Sequence, residues 1–417
     1  MFKKLIGGIL TALMVLAFSN STVKADERDN EIKLLKAQVE ALQKRIEKLE
    51  RVKVKESAPA QELAQVKPDA SPKWLENIKP KADFRLRYEW QHDRGQDDNY
   101  RLRIRARAGL RAQVNKEMAF GAGIATGRTN DPRSTNVTLG TSGSANTPAS
   151  AKDIVLNYAY GEYKPFDGLM LTAGKFQNPL WLPTDILWDS DINPDGVAVQ
   201  LGYKLNSVLN LFANNMYFIM RNDDRNTARP FMFAFQPGFN WEINDTLNFK
   251  GAVSYYGVTS VEGKARFSNQ STNSLVNNNY KYDYGTINPS FELGVKEPVE
   301  GLIPYFGIFG DYVSNFYATK GRAGYDIGFR LGYDKIDDKG QWRLKAMYVL
   351  LERDAWLDIF PESSRYSGRT NIRGVDGVFE YGIAKNSSVA AHYYCSESLT
   401  KPENPQHILQ VDWNLRF

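Results

Sequence analysis

The stretch 407–417, HILQVDWNLRF, decides which fold the chain is expected to have. Apolar and polar side chains alternate along it, and successive side chains of a β-strand point to opposite faces. A strand with one face in lipid and the other in water shows this pattern, and so does a half-buried terminal strand of a soluble domain. One face would carry Leu409, Val411, Trp413, Leu415 and Phe417, and the other Gln410, Asp412, Asn414 and Arg416.

The opposite end of the chain predicts export. Residues 1–25 start with Lys3 and Lys4 and continue with an apolar run over residues 5–18, an order typical of a secretory signal peptide cleaved after residue 25. The run is shorter than the roughly 20 apolar residues that a membrane-spanning helix needs. Cleavage would also remove Lys24 and lower the formal net charge from +5 to +2, so the overall charge does not indicate a nucleic-acid partner.

The composition excludes internal disulfides and a helical membrane protein. With Cys395 as the single cysteine, the chain can form no internal disulfide. A mean hydropathy of −0.46 excludes a helical membrane protein. The same value allows a membrane barrel, because lipid-facing residues there alternate with residues that face the interior.

Residues 26–52 predict a coiled-coil helix. β-Branched residues at its first seam and leucine at its second favour two strands, in which Glu31 would face Lys36 of the partner helix. A lone amphipathic helix packed on a domain is the alternative. Residues 53–80 contain four prolines and predict an extended linker. The first seam consists of Ile32, Val39 and Ile46, and the second of Leu35, Leu42 and Leu49.

From residue 81 to residue 417 the hydrophobic pattern has a period of two. In one segment, Tyr325, Ile327 and Phe329 alternate with Asp326 and Gly328. Segments of about ten residues suit tilted strands that cross a bilayer, and counting them gives about sixteen. Residues 81–417 therefore predict an all-β structure, a transmembrane antiparallel β-barrel of about 16 strands.

The breaks between these segments alternate in length, as the short periplasmic turns and long outer loops of bacterial barrels do. An even number of strands would place both barrel ends, and with them the coiled coil, in the periplasm. A soluble β-propeller would instead show a regular repeat. Short turns are predicted near residues 115–116, 166–168, 206–207, 244–245, 299–301, 337–340 and 386–387, and longer stretches over, for example, residues 128–150, 259–284 and 361–370.

Arginine occupies one face of the first two predicted strands. An arginine in contact with lipid costs about 2 to 4 kcal/mol near the bilayer midplane, so we expect these side chains to face the interior. A barrel of about sixteen strands leaves a water channel there, and the pattern indicates a cationic pore lining. The alternative is that the arginines only pair with acidic neighbours such as Glu89 and hold the wall. The residues are Arg85, Arg87, Arg101, Arg103, Arg105, Arg107 and Arg111.

The third long loop, Asn178 to Gly196, is named here the acidic loop. It combines apolar residues, which should pack, with four aspartates. We expect it to fold into the barrel, narrow the pore and set its aspartates opposite the arginines, which would create a transverse field. The alternative is a loop folded over the outer rim or against a neighbouring protomer. Its candidate constriction residues are Trp181, Asp185, Trp188, Asp189, Asp191 and Asp195.

Together these features resemble the putative porin family of Gram-negative outer membranes and, less closely, general and phosphate-selective porins. The segments FRLRYEW (84–90), YRLRIRARAGL (100–110), LTAGKFQNPLWLPTDILWDSDINPDGVAVQL (171–201) and the terminal phenylalanine carry the resemblance, which covers nearly the whole mature chain. It implies an outer-membrane channel in contact with lipid, open to passive diffusion of small hydrophilic solutes or anions. It also implies a homotrimer, although the coiled-coil seams favour a dimer. The end of the chain resembles the signal for the barrel assembly machinery, which would include Trp413, Leu415 and Phe417.

Two other classes of function remain as alternatives. An enzyme is not expected, because the three histidines lie in unrelated segments, no Cys/His cluster suits zinc, and no glycine-rich phosphate loop is present. No catalytic residue, metal or cofactor is therefore predicted. A barrel that only anchors a coiled coil in contact with peptidoglycan is the second alternative, but an anchor does not need the arginine face. Within the pore class, a selective anion channel of the phosphate type is the alternative to a general porin.

Overall fold

The computed structural model describes Lys44 and residues 76–130, 132–140, 150–221, 229–268 and 271–417. The chain divides into two compact units, residues 1–72 and 73–417. The predicted signal peptide, the coiled coil apart from Lys44, and the linker up to residue 75 lie outside the described residues. Among the residues that the structure does describe, no helix is long and apolar enough to cross a membrane.

The described part of the second unit consists of strands joined by turns and loops. Its first strand begins three residues before the predicted barrel boundary at residue 81. The strands are β1 (Ile78–Asp93), β2 (Asn99–Gln113), β3 (Met118–Thr126), β4 (Val137–Thr138), β5 (Ile154–Phe166), β6 (Leu169–Lys175), β7 (Asp195–Lys204), β8 (Leu209–Ile219), β9 (Phe231–Glu242), β10 (Leu247–Thr259), β11 (Leu275–Val276), β12 (Asn279–Tyr280), β13 (Tyr284–Val299), β14 (Ile303–Asn315), β15 (Ala323–Gly332), β16 (Trp342–Leu351), β17 (Ile372–Ala384), β18 (Ser387–Ser398) and β19 (Lys401–Arg416).

Sixteen of these strands form one closed antiparallel barrel, which confirms the predicted fold class and strand number. Each barrel strand pairs with its neighbours in the chain, and β1 pairs with β19 to close the sheet, from Asp83 opposite Arg416 to Asp93 opposite Gln406. The short strand β4 pairs with β2 beside β3, and β11 and β12 form a separate hairpin. Closure leaves the barrel wall without a free sheet edge, which is what a β-structure in lipid requires.

The seven predicted short turns all join consecutive barrel strands at the end of the barrel that holds the start of β1 and the end of β19. Three of them share one device, in which an asparagine side chain accepts hydrogen bonds from backbone N–H groups two and three residues later. Asn244, for example, accepts from Thr246 at 3.0 Å and Leu247 at 2.8 Å, and Asn115 and Asn206 do the same in their turns. At the other end the expectation of long loops is wrong once, because only Leu399 and Thr400 separate β18 from β19.

The outer surface of the barrel exposes large apolar side chains on strand after strand. Leu102 on β2 is 44% exposed, Phe235 on β9 49%, and Trp413 on β19 42%. Their polar neighbours in sequence point inward, as the two-residue period requires. A soluble protein rarely exposes an apolar surface that runs round the whole molecule, whereas a barrel in a bilayer needs one.

Apolar side chains also pack inside the barrel, where two long loops fold inward. Trp188 of the acidic loop stacks on Phe360 of the β16–β17 loop (residues 352–371), with ring centroids 4.7 Å apart. The indole of Trp356 is fully buried and donates a hydrogen bond to the Leu187 carbonyl at 2.8 Å. Tyr256 on β10 completes this cluster, with its ring 4.8 Å from that of Trp356. The cluster attaches both loops to the inner face of the wall.

Replacing Trp356 with alanine should loosen this interior cluster. Removing a fully buried tryptophan costs about 3 to 5 kcal/mol in a well-packed core. Because the barrel hydrogen bonds do not depend on the cluster, we expect a lower urea midpoint for the near-ultraviolet circular dichroism than for the far-ultraviolet β signal. Phe316→Ala, a change at a side chain that is 57% exposed, is the control and should leave both midpoints unchanged. If the near- and far-ultraviolet midpoints of Trp356→Ala coincided and equalled those of the wild type, this packing would be contradicted.

Candidate functional site

The arginines of β1 and β2 lie side by side on the inner face of the barrel. Antiparallel pairing sets Arg85 opposite Arg105 and Arg87 opposite Arg103, so like charges face one another across the two strands. Directly opposed like charges destabilise a strand pair unless other groups compensate. The neighbouring strand β19 and the in-folded loops supply that compensation.

Most of these arginines pair with carboxylates. Arg87 makes two hydrogen bonds of 2.7 Å to Asp412 on β19, a fork geometry that gives strong charge-assisted bonds. Glu89 is 1% exposed and pairs with two arginines of β2. The wall is therefore a network of ion pairs and not a surface of free cations. The remaining pairs are Arg105 and Arg107 with Asp83, Arg101 and Arg103 with Glu89, and Arg111 with Glu162.

Arg85 has the least complete set of partners in this network. One guanidinium nitrogen donates to the Asn136 amide oxygen at 2.7 Å, and another lies 3.7 Å from Asp412, both of whose oxygens already accept from Arg87. Its Nε and that of Arg103 find no hydrogen-bond acceptor among the described residues. Both Nε atoms are buried within the arginine wall and have no exposed surface toward the lumen.

The acidic loop crosses the interior of the barrel. At one end of its path, the Thr184 hydroxyl lies 2.7 Å from a carboxylate oxygen of Asp311 on β14 and of Asp326 on β15. Further along, Asp191 accepts a hydrogen bond from Arg107 on β2 at 3.1 Å and one from the Thr135 hydroxyl at 2.9 Å. Strands β2 and β14 lie far apart around the ring, so the loop connects distant parts of the wall.

The loop residues singled out from the sequence have different surroundings. Of the four aspartates, Asp191 contacts the arginine wall, with Arg105 also at 3.9 Å. Asp185 pairs instead with Arg365, and Asp195 begins β7, where it is exposed and 3.4 Å from Lys175. Asp189 accepts backbone N–H groups from Asp191 and Ser363. Trp188 lies in the apolar cluster, and the Trp181 ring packs under Lys250 of β10 at 4.7 Å.

The β16–β17 loop supplies functional residues that the sequence reasoning missed. Its Arg365 is 1% exposed and links Asp185 of the acidic loop to Asp376 of β17. Its Glu362 accepts the backbone N–H of Ser364 at 2.9 Å and has no ion-pair partner among the described side chains. The signal that could have found this loop is the apolar run over residues 355–360, AWLDIF, which has the same character as the acidic loop.

The carboxylates of the two loops have pKa values shifted in opposite directions. Burial raises the pKa of Asp191, but Arg105, Arg107 and Arg85 outweigh it and hold that pKa below the ordinary value. The contribution of Asp191 to stability is thus present at neutral pH and is lost as the pH falls through that lowered value. Burial and the carboxylate of Glu362 raise the pKa of Asp189 well above the usual range. Burial, with Asp185, likewise raises the pKa of Glu362.

A cavity of about 240 Å³ lies between the arginine wall and the two loops. A larger one of about 630 Å³ lies toward the long-loop end, and another of about 530 Å³ toward the short-turn end. The cavity toward the short-turn end shares Arg85, Arg105 and His392 with the central cavity. The cationic residues that line the central cavity are Arg85, Arg87, Arg103, Arg105, Arg133 and Lys345, and the acidic residues are Asp185, Asp189, Asp191, Glu362 and Asp376.

A family model described as "Putative porin" matches residues 91–294 and 273–417. The chain belongs to this family. With the closed sixteen-strand barrel, this identifies the protein as an outer-membrane channel. In bacterial outer-membrane barrels the short turns face the periplasm and the long loops face outward.

The chain is also similar to solved structures of distant sequence. OprB of Pseudomonas putida is 10% identical, with 83% of the porin and 96% of OprB covered and a TM-score of 0.54. A loop-deletion mutant of OmpT from Vibrio cholerae is 14% identical, with coverage of 82% and 100% and a TM-score of 0.46. A triple mutant of the Rhodopseudomonas blastica porin is 11% identical, with coverage of 82% and 100% and a TM-score of 0.44. No curated protein matches the chain.

The end of the porin chain forms the seam of the barrel. The backbone of Phe417 exchanges two hydrogen bonds with Ala82 at the start of β1, at 2.9 and 3.3 Å. Trp413 and Phe417 point outward, 42% and 75% exposed. Within the described ranges, no group of three or more histidine, cysteine, aspartate or glutamate residues is arranged to hold a metal ion.

Replacing Asp191 with asparagine should release the acidic loop of the porin from the arginine wall. Removing one partner of a buried ion pair leaves an uncompensated charge, so the loop should open more often. We expect backbone amides near residues 185–194 to exchange with deuterium about tenfold faster, as measured by mass spectrometry. Asp195→Asn is the matched control, because that carboxylate is exposed and lies near Lys175, away from the arginines of β1 and β2. Unchanged exchange in Asp191→Asn would show that the ion pair does not hold the loop.

Proposed function

We propose that this channel is a general porin, a water-filled path for passive diffusion of small hydrophilic solutes and ions, with a preference for anions. In this proposal the seven arginines of β1 and β2 line the lumen and the acidic loop forms its constriction. The observation that carries the proposal is the central cavity, which has arginines on one side and loop carboxylates on the other.

The cavity volumes support a constriction at mid-height. The central cavity, about 240 Å³, is less than half as large as either the cavity toward the long-loop end or the cavity toward the short-turn end. Its walls are the arginine strands on one side and the two in-folded loops on the other. Because the loops are held by ion pairs and by an apolar cluster, the narrow part is built into the resting structure. A barrel of this strand number would otherwise leave a wide aqueous lumen.

The charge distribution supports the anion preference. The cavity at the long-loop end is lined by four cationic residues, Arg94, Arg353, Arg369 and Lys401, and by one acid, Asp93. A cleft with one dominant sign of charge raises the local concentration of oppositely charged solutes. At the centre the excess is smaller, with six cationic and five acidic residues. Anions are thus collected at the outer mouth and passed to a nearly balanced constriction.

Changing Arg103 and Arg105 to serine should weaken the anion preference. The refolded porin is inserted into planar bilayers, and its reversal potential is measured under a salt gradient. We expect stepwise openings in both proteins and a reversal potential closer to zero in the variant, because two cationic groups leave the narrowest part. Arg373→Ser is the matched control, since Arg373 is 46% exposed and pairs with Glu397 away from the cavity.

Correctly folded porin that shows no channel activity would overturn the general-porin proposal. Stepwise openings with an unchanged reversal potential in the double variant would instead remove the arginine face from the permeation path. Current block by phosphate at low concentration would favour the selective anion channel, because such a block requires a site that prefers this anion.

Three partner proposals rest on the sequence: a homotrimer, recognition of Trp413, Leu415 and Phe417 by the barrel assembly machinery, and a peptidoglycan contact through the coiled coil. For the last, deletion of residues 26–75 leaves β1 complete. We expect unchanged single-channel conductance and a barrel that washes more easily from isolated cell-wall fragments in a pull-down. If the deletion variant lost its conductance, the barrel would not conduct independently of the coiled coil. If it stayed on the cell-wall fragments as firmly as the full chain, the coiled coil would not be the tether.

A further inference from the structure

We propose that the central cavity is a binding site for a small zwitterionic solute, whose carboxylate contacts the arginine side and whose ammonium group contacts the loop side. This inference rests on the porin function proposed above and adds to it a saturable site and a solute class. Its basis is that ion pairing is incomplete on both sides of the cavity: Arg85 lies no closer than 3.7 Å to a carboxylate, and Asp189 and Glu362 form no ion pair with a described cation.

The unused donors belong to Arg85 and Arg103. Both side chains are largely buried, 13% and 17% exposed, and both line the cavity. The best-placed acid for Arg85, Asp412, is already bound through both oxygens to Arg87. Arg103 shares Glu89 with Arg101 and reaches Ser134 at 3.4 Å. A carboxylate in the cavity would accept from the terminal guanidinium nitrogens, among which Nη1 of Arg85 has its nearest carboxylate, that of Asp412, 3.7 Å away.

The unused acceptors belong to the opposite side. Asp376 on β17 is 8% exposed and lines the cavity, but its unpaired Oδ1 has no exposed surface and is not a contact for a solute. Glu362 and Asp189 beside it accept backbone N–H groups but form no ion pair with a described cation. A buried acceptor without a donor is costly, and an ammonium group supplies three donors and a compensating charge.

The cations near this side do not fill that role. Arg365 is bound to Asp185 and Asp376, and the Nζ of Lys345 lies 4.9 Å from the centre of the Phe309 ring. Arg133, the third cation on this side, donates to the backbone carbonyls of Asp358 and Gly368. Of the four carboxylates Asp185, Asp189, Glu362 and Asp376, only Asp185 and Asp376 therefore form an ion pair with a described cation. Burial and neighbouring carboxylates raise the pKa values of Asp189 and Glu362, and an ammonium group between them would lower both.

A zwitterion fits this arrangement better than a simple ion. An anion would satisfy Arg85 and Arg103 and leave the carboxylates opposite without partners, and a cation would do the reverse. The lining is also nearly balanced, with six cationic and five acidic residues, so a solute without net charge adds no imbalance. With about 240 Å³ available, the site would hold a solute of the size of a free amino acid.

The test compares three solutes of one chain length, γ-aminobutyrate, butyrate and butylammonium, as blockers of single-channel current in wild-type porin. We expect a saturable block by γ-aminobutyrate, with a half-blocking concentration about tenfold below those of the two simple ions. Equal half-blocking concentrations for the three solutes, or block that does not saturate, would overturn the proposal. Stepwise openings in that case would leave the general-porin function intact, whereas no openings at all would end both.

Two variants separate the ends of the site. Glu362→Gln should raise the half-blocking concentration of γ-aminobutyrate about tenfold and leave that of butyrate unchanged, because only the ammonium contact is lost. Arg85→Gln should raise both, because both solutes carry a carboxylate. Glu242→Gln, at a 39% exposed side chain near the periplasmic end, is the control and should change neither. An unchanged zwitterion block in correctly folded Glu362→Gln would remove the loop side from the site.

Discussion

The structure depends on one constraint, that no backbone polar group of the wall can remain unpaired in lipid. Water is absent from the hydrocarbon core, and each unsatisfied N–H or C=O group there costs several kcal/mol. The chain meets this constraint by pairing β1 with β19, so that residues more than 300 positions apart in sequence become neighbours. The two hydrogen bonds between Ala82 and Phe417 complete the seam. Closure also gives every strand two faces, one toward the lipid and one toward the interior.

Closure also creates an interior that side chains alone cannot fill at this strand number. The chain fills part of it with two loops that carry apolar side chains, among them Trp188 and Trp356, and these pack as they would in a soluble core. Charged groups collect in the remaining space, where ion pairs such as Arg87–Asp412 reduce the cost of burying them. The central cavity that remains is lined by residues of β1, β2, β16, β17 and β18 and by the two in-folded loops.

Local patterns predicted much of this fold. The two-residue period revealed the strands, and asparagine and glycine at the breaks revealed the seven short turns, because both signals are confined to neighbouring residues. Pairings between distant segments could not be predicted in the same way. Nothing near Arg87 in sequence indicates Asp412 as its partner, and nothing near Asp185 indicates Arg365. The inward fold of the β16–β17 loop had a local signal, the mostly apolar residues 355–360, but this segment is short and flanked by polar residues.

The acidic loop has a mechanical consequence as well as an electrostatic one. A bilayer compresses an inserted barrel from all sides, and a thin-walled cylinder yields to such pressure by becoming elliptical. The loop joins β2, through Arg107 and Asp191, to β14 and β15, through Thr184. It therefore spans the cylinder as an internal brace, and flattening the barrel along this direction would have to stretch or break these contacts.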